Sequence, residues 1–394
     1  MVTRIPKLVV GALSLISLAG VSTVAPAQAA PNAANSSASK VSGHAGAAFA
    51  MTNRSTGNEI VSYRRATGGA LTRVGTVSTR GLGIGTDLDT QGPLRLSGDH
   101  RYLYAANAGS DDITVFSVTG THLTFLQKVY AGDEPNSLTI HLGLLYVLDG
   151  SVAGNGIRGF KVAADGTLTP LPHSFRLLSS PIAVPGTVQF SPDGRLLLVT
   201  EKTTNVVLSP KNAIDAFRVG ADGLASAVPR RNFSHGVRPF SLAFRSNSQL
   251  VVAESFDAAP GAAAVSSYRV FGNGALGVIS GSVPNHQTDS CWVVITADGR
   301  YAYTANFGSG TISSYRFGSA GQVRLMKGKA AFLGLLSQPV DLAFSAGSQY
   351  LYLLLRGTGA VAGFKVQTDG GLSPLGVTTG RLPVADGASG LAAY

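Results

Sequence analysis

The sequence has little cysteine, little charge and no long apolar run in its main part. A single cysteine, Cys291, stands among 394 residues, which excludes an intramolecular disulfide and a zinc site built from cysteines. Charged residues make up 13%, against about 25% in ordinary globular chains. Because 44% of the residues are hydrophobic, a disordered chain is excluded as well. After residue 30 no run of 18 apolar residues occurs, so we expect no membrane-spanning helix there.

The first 29 residues have the pattern of a secretory signal peptide. Arg4 and Lys7 form a short positive segment, Leu8–Val21 is apolar, and Ala27–Ala29 is an A-x-A cleavage site. A membrane anchor is the alternative, but an apolar run of about 14 residues is short for a bilayer, which needs about 20. The sequence therefore predicts a secreted, extracellular protein. Residues 30–46 are small and polar, which predicts a flexible leader before the folded part at 47–394.

The basic residues give a positive net charge without forming a nucleic-acid-binding pattern. The formal net charge is +10, and removal of Arg4 and Lys7 leaves 29 basic residues against 21 acidic ones, a charge of +8. The basic residues are scattered, mostly singly, with no basic helix and no basic run interleaved with aromatics. We therefore expect no nucleic-acid partner. The expected partner is a small polar or anionic ligand or an extracellular partner.

Internal repeats organise residues 47–394. The segments SGDHRYLYAAN, SPDGRLLLVTE and TADGRYAYTAN each contain a tight Asp-Gly or Gly-Asp turn followed by an apolar strand, and weaker copies lie between and beyond them. Asp-Gly between apolar runs is a strong hairpin signal, because glycine tolerates the positive φ of such turns. The second strands of the copies end about 50 residues apart, at residues 53, 107, 149, 201, 254, 306 and 355.

Each repeat predicts four strands, which is typical of a β-propeller blade. After each second strand comes an alternating third strand, such as AIDAFRV or TISSYRF, and several copies continue into a fourth. Seven copies predict an all-β, seven-bladed propeller; a β-solenoid is the alternative. The chain ends in SGLAAY, which matches the first strands VDLAF and FSLAF. We therefore expect residues 390–394 to pair with residues 47–63 and close the ring, which removes a free sheet edge.

At these repeats the chain resembles the lactonase family of seven-bladed propellers. That family includes 6-phosphogluconolactonases and fungal carboxymuconate-lactonizing enzymes, and it overlaps propellers with a Y-V-T-N repeat. The resemblance covers roughly residues 47–394. It implies a lactone-hydrolase fold with a polar cluster at one mouth of the channel, while the repeat itself is more specific for the fold than for the activity.

The family's site motifs are only partly present in this sequence. The P-H-x-H segment falls at residues 183–186, G-P-R-H at 238–241, N-E at 253–254, N-R at 306–307 and P-R-D-F at 339–342. The expected His and Arg positions hold Val184, Gly186, Phe240, Ser241, Phe307 and Val340. The carboxylates Glu254 and Asp341 are kept. Arginines are the usual holders of a phosphate, and histidine is the usual general base near neutral pH.

This pattern predicts a ligand-binding propeller with a degenerate lactonase site. The alternative is a lactone hydrolase that resembles 6-phosphogluconolactonase but has a different substrate, with Glu254 as its candidate catalytic residue. No cofactor is expected.

Long loops before the inner strands and after the second strands should meet at one end of the propeller. We predict a pocket there for a small polar or anionic ligand. Its border is Glu201, His235, Arg238, Glu254, His286 and Asp289. The alternative is that these are solvated loop residues.

Two further features of the sequence favour structural roles. The second strands end in Asn, Asp or Glu in six copies, and such a ring of oxygens can bind Ca²⁺. Side-chain to backbone hydrogen bonds that start the next turn are the favoured alternative, so no metal site is expected. Cys291 stands beside the only tryptophan, Trp292, which indicates a buried core thiol rather than a nucleophile.

Overall fold

The structure is a computed structural model and describes residues 44–151, 155–180, 182–202 and 212–394. The predicted signal peptide, 1–29, and most of the predicted leader lie outside the described residues. The first strand begins at His44, so the end of the segment expected as leader belongs to the folded part. Seven antiparallel sheets follow one another along the chain and form the seven blades of a propeller, as the repeats predict.

The strands are named here by blade, from the channel outward. Blade 1 holds β1 (His44–Met51), β2 (Glu59–Ala66) and β3 (Leu71–Ser78), and its innermost strand is β29 (Leu391–Ala393). Blade 2 holds β4 (Leu94–Leu96), β5 (Tyr102–Asn107), β6 (Asp112–Thr119) and β7 (His122–Tyr130). Blade 3 holds β8 (Pro135–His141), β9 (Leu144–Asp149), β10 (Gly156–Val162) and two short strands that both pair with β10, β11 (Leu168–Pro170) and β12 (Arg176–Leu177).

Blades 4 to 7 repeat the same order. Blade 4 holds β13 (Val184–Phe190), β14 (Leu196–Lys202), β15 (Ala213–Arg218) and β16 (Arg230–Phe233), and blade 5 holds β17 (Pro239–Ser246), β18 (Gln249–Glu254), β19 (Ala264–Val270) and β20 (Leu276–Pro284). Blade 6 holds β21 (Ser290–Ile295), β22 (Tyr301–Asn306), β23 (Thr311–Phe317) and β24 (Val323–Phe332), and blade 7 holds β25 (Pro339–Phe344), β26 (Tyr350–Leu355), β27 (Ala360–Val366) and β28 (Leu372–Thr379). Short 3₁₀ turns occupy Phe256–Ala258, Ala346–Ser348 and Arg356–Thr358.

Antiparallel pairing gives the propeller two chemically different ends. The inner strands begin where the second and outermost strands end, and we call this the upper end. The Asp-Gly turns between first and second strands lie at the opposite, lower end. At these turns Asp193 and Asp298 accept hydrogen bonds from Ser191 at 2.7 Å and from Thr296 at 2.6 Å. The loops between blades therefore meet at the upper end.

The ring is closed by the two ends of the described chain. In blade 1, Ala48 pairs with Ala393 and Ala50 pairs with Leu391, which makes β29 the neighbour of β1. The Nε of Arg65 donates to the carbonyl of Tyr394 at 2.9 Å. The predicted closure is confirmed, and no sheet edge is left open at the seam.

Tyrosines of the second strands join each of four blades to the next one. Each hydroxyl donates to a glycine carbonyl in a turn of the following blade, at 2.6 to 3.0 Å. The pairs are Tyr104 with Gly166, Tyr146 with Gly223, Tyr303 with Gly370 and Tyr352 with Gly69. The tyrosine in the repeat therefore buries an aromatic ring between two blades while its polar tip finds a partner.

Candidate functional site

The connection from blade 1 to blade 2, residues 79–93, is the longest connection between blades and crosses the channel at the upper end. Within it, Asp87–Gly92 form a segment that we call the crossbar. Thr90 Oγ1 donates to the carbonyl of Gly186 at 2.5 Å, and Trp292 Nε1 donates to the carbonyl of Thr90 at 2.9 Å. The Gln91 side chain exchanges two hydrogen bonds with the backbone of Val293, at 3.1 and 3.2 Å. The crossbar thus forms the floor of the upper mouth.

Asp89 of the crossbar stands between two cations. Its Oδ2 accepts hydrogen bonds from Lys202 Nζ at 2.7 Å and from Arg238 Nη2 at 2.9 Å. Burial opposes ionisation of Asp89, but the charges of Lys202 and Arg238 outweigh it and hold the pKa of this carboxyl below its ordinary value. The Lys202 side chain is 0% exposed, and burial lowers its pKa despite the neighbouring carboxylate. The Lys202 ammonium group is therefore buried, with the Asp89 carboxylate as its ion-pair partner.

Arg238 is the cation of this site that reaches the surface. Its side chain is 19% exposed, and its Nη1 lies 3.8 Å from Asp257 Oδ1. Among the residues that the structure describes, its buried Nε has no hydrogen-bond partner. Two carboxylates, Asp89 and Asp257, thus fix the guanidinium at the floor of the mouth while part of its donor capacity stays open.

A strained residue precedes the inner strand in four blades. Glu134, Arg238, Asp289 and Gln338 all have positive φ values, between 46° and 63°. Each carbonyl accepts the amide of the residue after the second strand of its blade, which is Gly150, Ser255, Phe307 and Arg356 in turn. Non-glycine residues seldom adopt this region, at a cost of about 1–3 kcal/mol. Here the strained conformation has a structural role, because it allows each carbonyl to bond the end of the second strand at the upper end of these four blades.

Asp289 and Cys291 form a second polar contact beside Arg238. The Cys291 thiol donates to Asp289 Oδ1 at 3.1 Å. Burial raises the pKa of Asp289, an effect that the Cys291 hydrogen bond and the Arg238 charge oppose. Burial, reinforced by Asp289, raises the pKa of Cys291 well above its ordinary value. Cys291 is thus a buried, neutral thiol in the core, next to Trp292.

Asp341 and Asp87 complete the polar groups around the crossbar. Asp341 is buried, and its Oδ2 accepts the amide of Gly390 at 2.6 Å. Burial raises the pKa of Asp341 to about 7, although Arg95 and the amide hydrogen bonds oppose the shift. Asp87 forms an ion pair with Arg356, with Oδ2 and Nη1 2.5 Å apart. Asp341, a carboxylate kept from the family motif, is therefore buried and ties the closing strand in place.

The six predicted pocket residues fall into four sets: Arg238 with Asp289, His286, Glu201, and Glu254 with His235. Arg238 and Asp289 come together around Asp89, as described. His286 is exposed on the same loop as Asp289. Glu201 is buried against Asp215 in blade 4. The pocket that these residues were expected to border stays a prediction.

Glu254 is fully buried and bonded to the loop that precedes blade 5. Its Oε1 accepts the amide of Gly236 at 3.0 Å, and its Oε2 accepts the hydroxyl of Ser282 at 2.8 Å. The same hydroxyl lies 3.0 Å from Nδ1 of the exposed His235. Burial raises the pKa of Glu254. The candidate catalytic carboxylate therefore anchors a loop, and His235 reaches it only through Ser282.

The other second-strand ends have a comparable anchoring role. Asn107 donates to Asp112 at 2.7 Å and to Thr114 at 2.9 Å, and Asn306 donates to Thr311 at 2.8 Å and to Ser313 at 2.9 Å. Among the described residues, no three His, Cys, Asp or Glu side chains are grouped as metal ligands.

Sequence reasoning missed the residues that define the floor, Asp89, Lys202 and Asp257. The length of the 79–93 connection and its acidic TDLDT segment were the available signals. Lys202 directly follows Glu201 at the end of a second strand. Because successive side chains of a strand point to opposite faces, the pattern alone gives no reason to place Lys202 in the same site as Glu201.

The seven blades define the fold as a seven-bladed β-propeller. The family model for the seven-bladed β-propeller lactonases matches residues 44–184. The resemblance to this family is confirmed over these residues, and so is the expected seven-bladed fold. A search of curated proteins found no sequence match.

Solved structures share the propeller over most of the chain. The periplasmic gluconolactonase of Pseudomonas aeruginosa is 18% identical, with a TM-score of 0.66, over 89% of this chain and 99% of its own. A Lactobacillus plantarum protein is 18% identical, with a TM-score of 0.68 and the same coverage. A Bacteroides fragilis protein, provisionally named a 6-phosphogluconolactonase, is 18% identical, with a TM-score of 0.65 over 90% of this chain and 99% of its own. At these identities the likeness concerns the fold.

Within the described residues, the structure contains no helix of the length and apolarity needed to cross a lipid bilayer.

Proposed function

We propose that this chain is an exported ligand-binding propeller whose site is the upper mouth above the crossbar. Its ligand is a small polar molecule with a carboxylate or a polarised carbonyl. The observation that carries the proposal is the partly exposed Arg238 guanidinium, which Asp89 and Asp257 hold at the floor of the mouth. A planar guanidinium held in place is well suited to oxygen pairs of this kind.

The positions that resemble the lactonase motifs support binding over catalysis. Phe240 and Phe307 stand where the family has arginines, and their rings pack against Trp292, with centroids 4.9 and 6.4 Å away. Val340, at a third such position, is buried. Phe240 and Val340 belong to the core and Phe307 packs against it, and none of the three offers a base or a phosphate ligand. The site is therefore degenerate as a 6-phosphogluconolactonase site.

A lactone hydrolase is the second candidate, and Asp289 is the observation that favours it. Its raised pKa brings the carboxyl nearer to the range in which it can exchange a proton, and Arg238 stands close enough to influence it. In that reaction Asp289 takes a proton from water, the hydroxide adds to the carbonyl polarised by Arg238, and the ring C–O bond breaks. The ring oxygen takes up the proton, so lactone and water give one hydroxy acid. The periplasmic gluconolactonase among the structural neighbours is consistent with such a substrate class.

Binding and turnover measured on the same protein separate the two candidates. A panel of sugar lactones and the matching sugar acids is tested by calorimetry for binding and by acid release for hydrolysis. We expect Arg238→Ala to weaken binding by at least tenfold, since loss of one charged hydrogen-bond partner costs about 1.5–3 kcal/mol. The control is Arg300→Ala, which removes an exposed arginine paired with Asp298 at 2.7 Å at the lower end.

The Asp289→Asn variant distinguishes a lactone hydrolase from a propeller that only binds its ligand. Turnover that is lost in this variant while binding persists establishes the hydrolase. Binding of sugar acids without turnover of any lactone establishes the binding propeller. If the native protein neither binds nor hydrolyses any member of the panel, or if Arg300→Ala weakens binding as much as Arg238→Ala, the proposed site is wrong.

A further inference from the structure

Blade 6 and the loop after it carry a one-sided charge. Between Asp298 and Asp341 the sequence has no acidic residue. The same stretch has five basic residues, Arg300, Arg316, Arg324, Lys327 and Lys329. The chain as a whole has 31 basic and 21 acidic residues, so this run is far more biased than the average. A solvated surface of mixed charge does not require such a bias.

The bias is concentrated on the outermost strand of the blade. Arg324, Lys327 and Lys329 of β24 are exposed, and no ion pair involves them within the described part of the chain. The outermost strands of the two adjacent blades, β20 and β28, contain no charged residue. Neither adjacent outermost strand therefore supplies a carboxylate that offsets the positive charge of β24.

One contact in blade 6 is unfavourable for the fold itself. Arg316 of β23 and Arg324 of β24 are direct cross-strand partners, and both are exposed. Like charges directly opposite each other destabilise a sheet. Lysine on an outer strand can prevent pairing with another chain, but β20 and β28 lie at equivalent edges without any. The cations of blade 6 are therefore not explained by stability or by edge protection.

Large exposed apolar side chains follow the cations of β24 at the upper end of blade 6. Phe332, the last residue of β24, is 59% exposed, and Leu335 and Leu336 in the following loop are 71% and 82% exposed. The Nζ of Lys329 lies 5.6 Å from the centre of the Phe332 ring. The exposed apolar side chains of Phe332, Leu335 and Leu336 thus lie directly beside the charged end of Lys329, which makes this part of the surface amphipathic.

We propose that blade 6 docks on an anionic phospholipid surface. Phe332, Leu335 and Leu336 enter the boundary between headgroups and acyl chains, and the exposed cations of β24 bind lipid phosphates. A soluble polyanion would be held by the cations alone and would give the two exposed leucines no partner. The leucines therefore favour a membrane surface over a polyanionic polymer.

Vesicle binding tests this surface directly. The full chain and residues 42–394, which contain all seven blades, are both sedimented with phosphatidylcholine vesicles containing or lacking 30% phosphatidylglycerol. The shorter chain excludes a contribution from Leu8–Val21. We expect both proteins to bind the anionic vesicles more tightly than the neutral ones. Neutralising two lysines, as in Lys327→Gln with Lys329→Gln, should weaken this binding about 30-fold.

The variant Leu335→Ser with Leu336→Ser should weaken binding by about tenfold or more, because burial of each leucine contributes to insertion. The matched control is Leu142→Ser, at a lower-end turn where the leucine is 89% exposed, and it should bind as the native chain does.

Three outcomes overturn the proposal. One is equal binding to neutral and anionic vesicles. A second is equal loss in the Leu142 control. The third is binding to heparin that needs the two lysines, together with vesicle binding that is indifferent to the leucines. That last result would identify a soluble polyanion as the partner.

Discussion

The pair formed by Glu201 and Asp215 gives a quantitative test of the buried electrostatics. Ser179 donates its amide to Asp215 at 2.6 Å, and Ser180 donates its amide to Glu201 at 3.2 Å. Burial, and then the charge of Asp215, raises the pKa of Glu201 from 4.5 to about 8. Burial also raises the pKa of Asp215, but hydrogen bonds from Ser179 and Glu201 and the charge of Arg231 oppose that shift. Glu201 is therefore the member of the pair that holds its proton at neutral pH.

The sign of the effect follows from the raised pKa. The folded state holds a proton on Glu201 more tightly than the unfolded state, so this group's contribution is fully present below pH 4.5 and is lost as pH rises through about 8. The full shift in the pKa of Glu201 between the unfolded and folded states corresponds to about 5 kcal/mol, since a change of one pKa unit is worth about 1.4 kcal/mol. Roughly 3 kcal/mol of it falls between pH 6 and pH 9.

The substitution Glu201→Gln removes the titration and keeps an amide that can occupy the same place. We expect the free energy of unfolding of the native chain to fall by about 3 kcal/mol more than that of the variant between pH 6 and pH 9. Urea unfolding followed by the fluorescence of the single, buried Trp292 measures both. Glu59→Gln, at a partly exposed carboxylate paired with Arg54, is the control. Parallel pH profiles for the native chain and Glu201→Gln would refute the reasoning.

Three further predictions concern the ring and its floor. Deletion of residues 388–394 should expose the edge of β1 and cause aggregation, seen by light scattering; a soluble monomer as stable as the parent would contradict this. Asp89→Asn should lower stability by about 2–3 kcal/mol, because it leaves Lys202 buried without a counterion, and Lys202→Met in the same chain should recover part of it in thermal unfolding. Unchanged melting in the single variant would disprove that account. Cys291 should resist a thiol reagent in the native state at pH 8 and react after unfolding, because its pKa is raised and it is buried; rapid native labelling would be the contrary result.

The blades were predictable because their turns and strands carry local signals. The Asp-Gly turns appear as expected, with Gly194 and Gly299 at φ values of 71° and 66°. The closing strand was predictable from the match between SGLAAY and other inner strands. The crossbar was not, since a connection without periodicity reveals neither its path nor its partners. Its position depends on the ring that surrounds it.

The candidate site was only partly predictable, for a reason that Glu201 and Glu254 make clear. Both lie at the ends of second strands, as the repeats indicate, and both are buried. Each carboxylate accepts an amide from the loop that precedes the inner strand of its own blade, Ser180 in blade 4 and Gly236 in blade 5. A repeat pattern gives the end of the propeller at which a side chain lies. Whether a loop covers that side chain depends on tertiary contacts.

The crossbar also sets the order in which this chain can fold. Its bonds join residues far apart in sequence: Asp89 and Lys202 are separated by 113 positions, Gln91 and Val293 by 202, and Gly92 and Asp341 by 249. A growing chain has none of these partners when residues 87–92 first emerge, so we expect the segment to become ordered only after blades 4 to 7 have formed. Such long-range contacts make folding slow. We therefore expect the centre of the propeller to be completed last, together with the pairing of β29 that closes its rim.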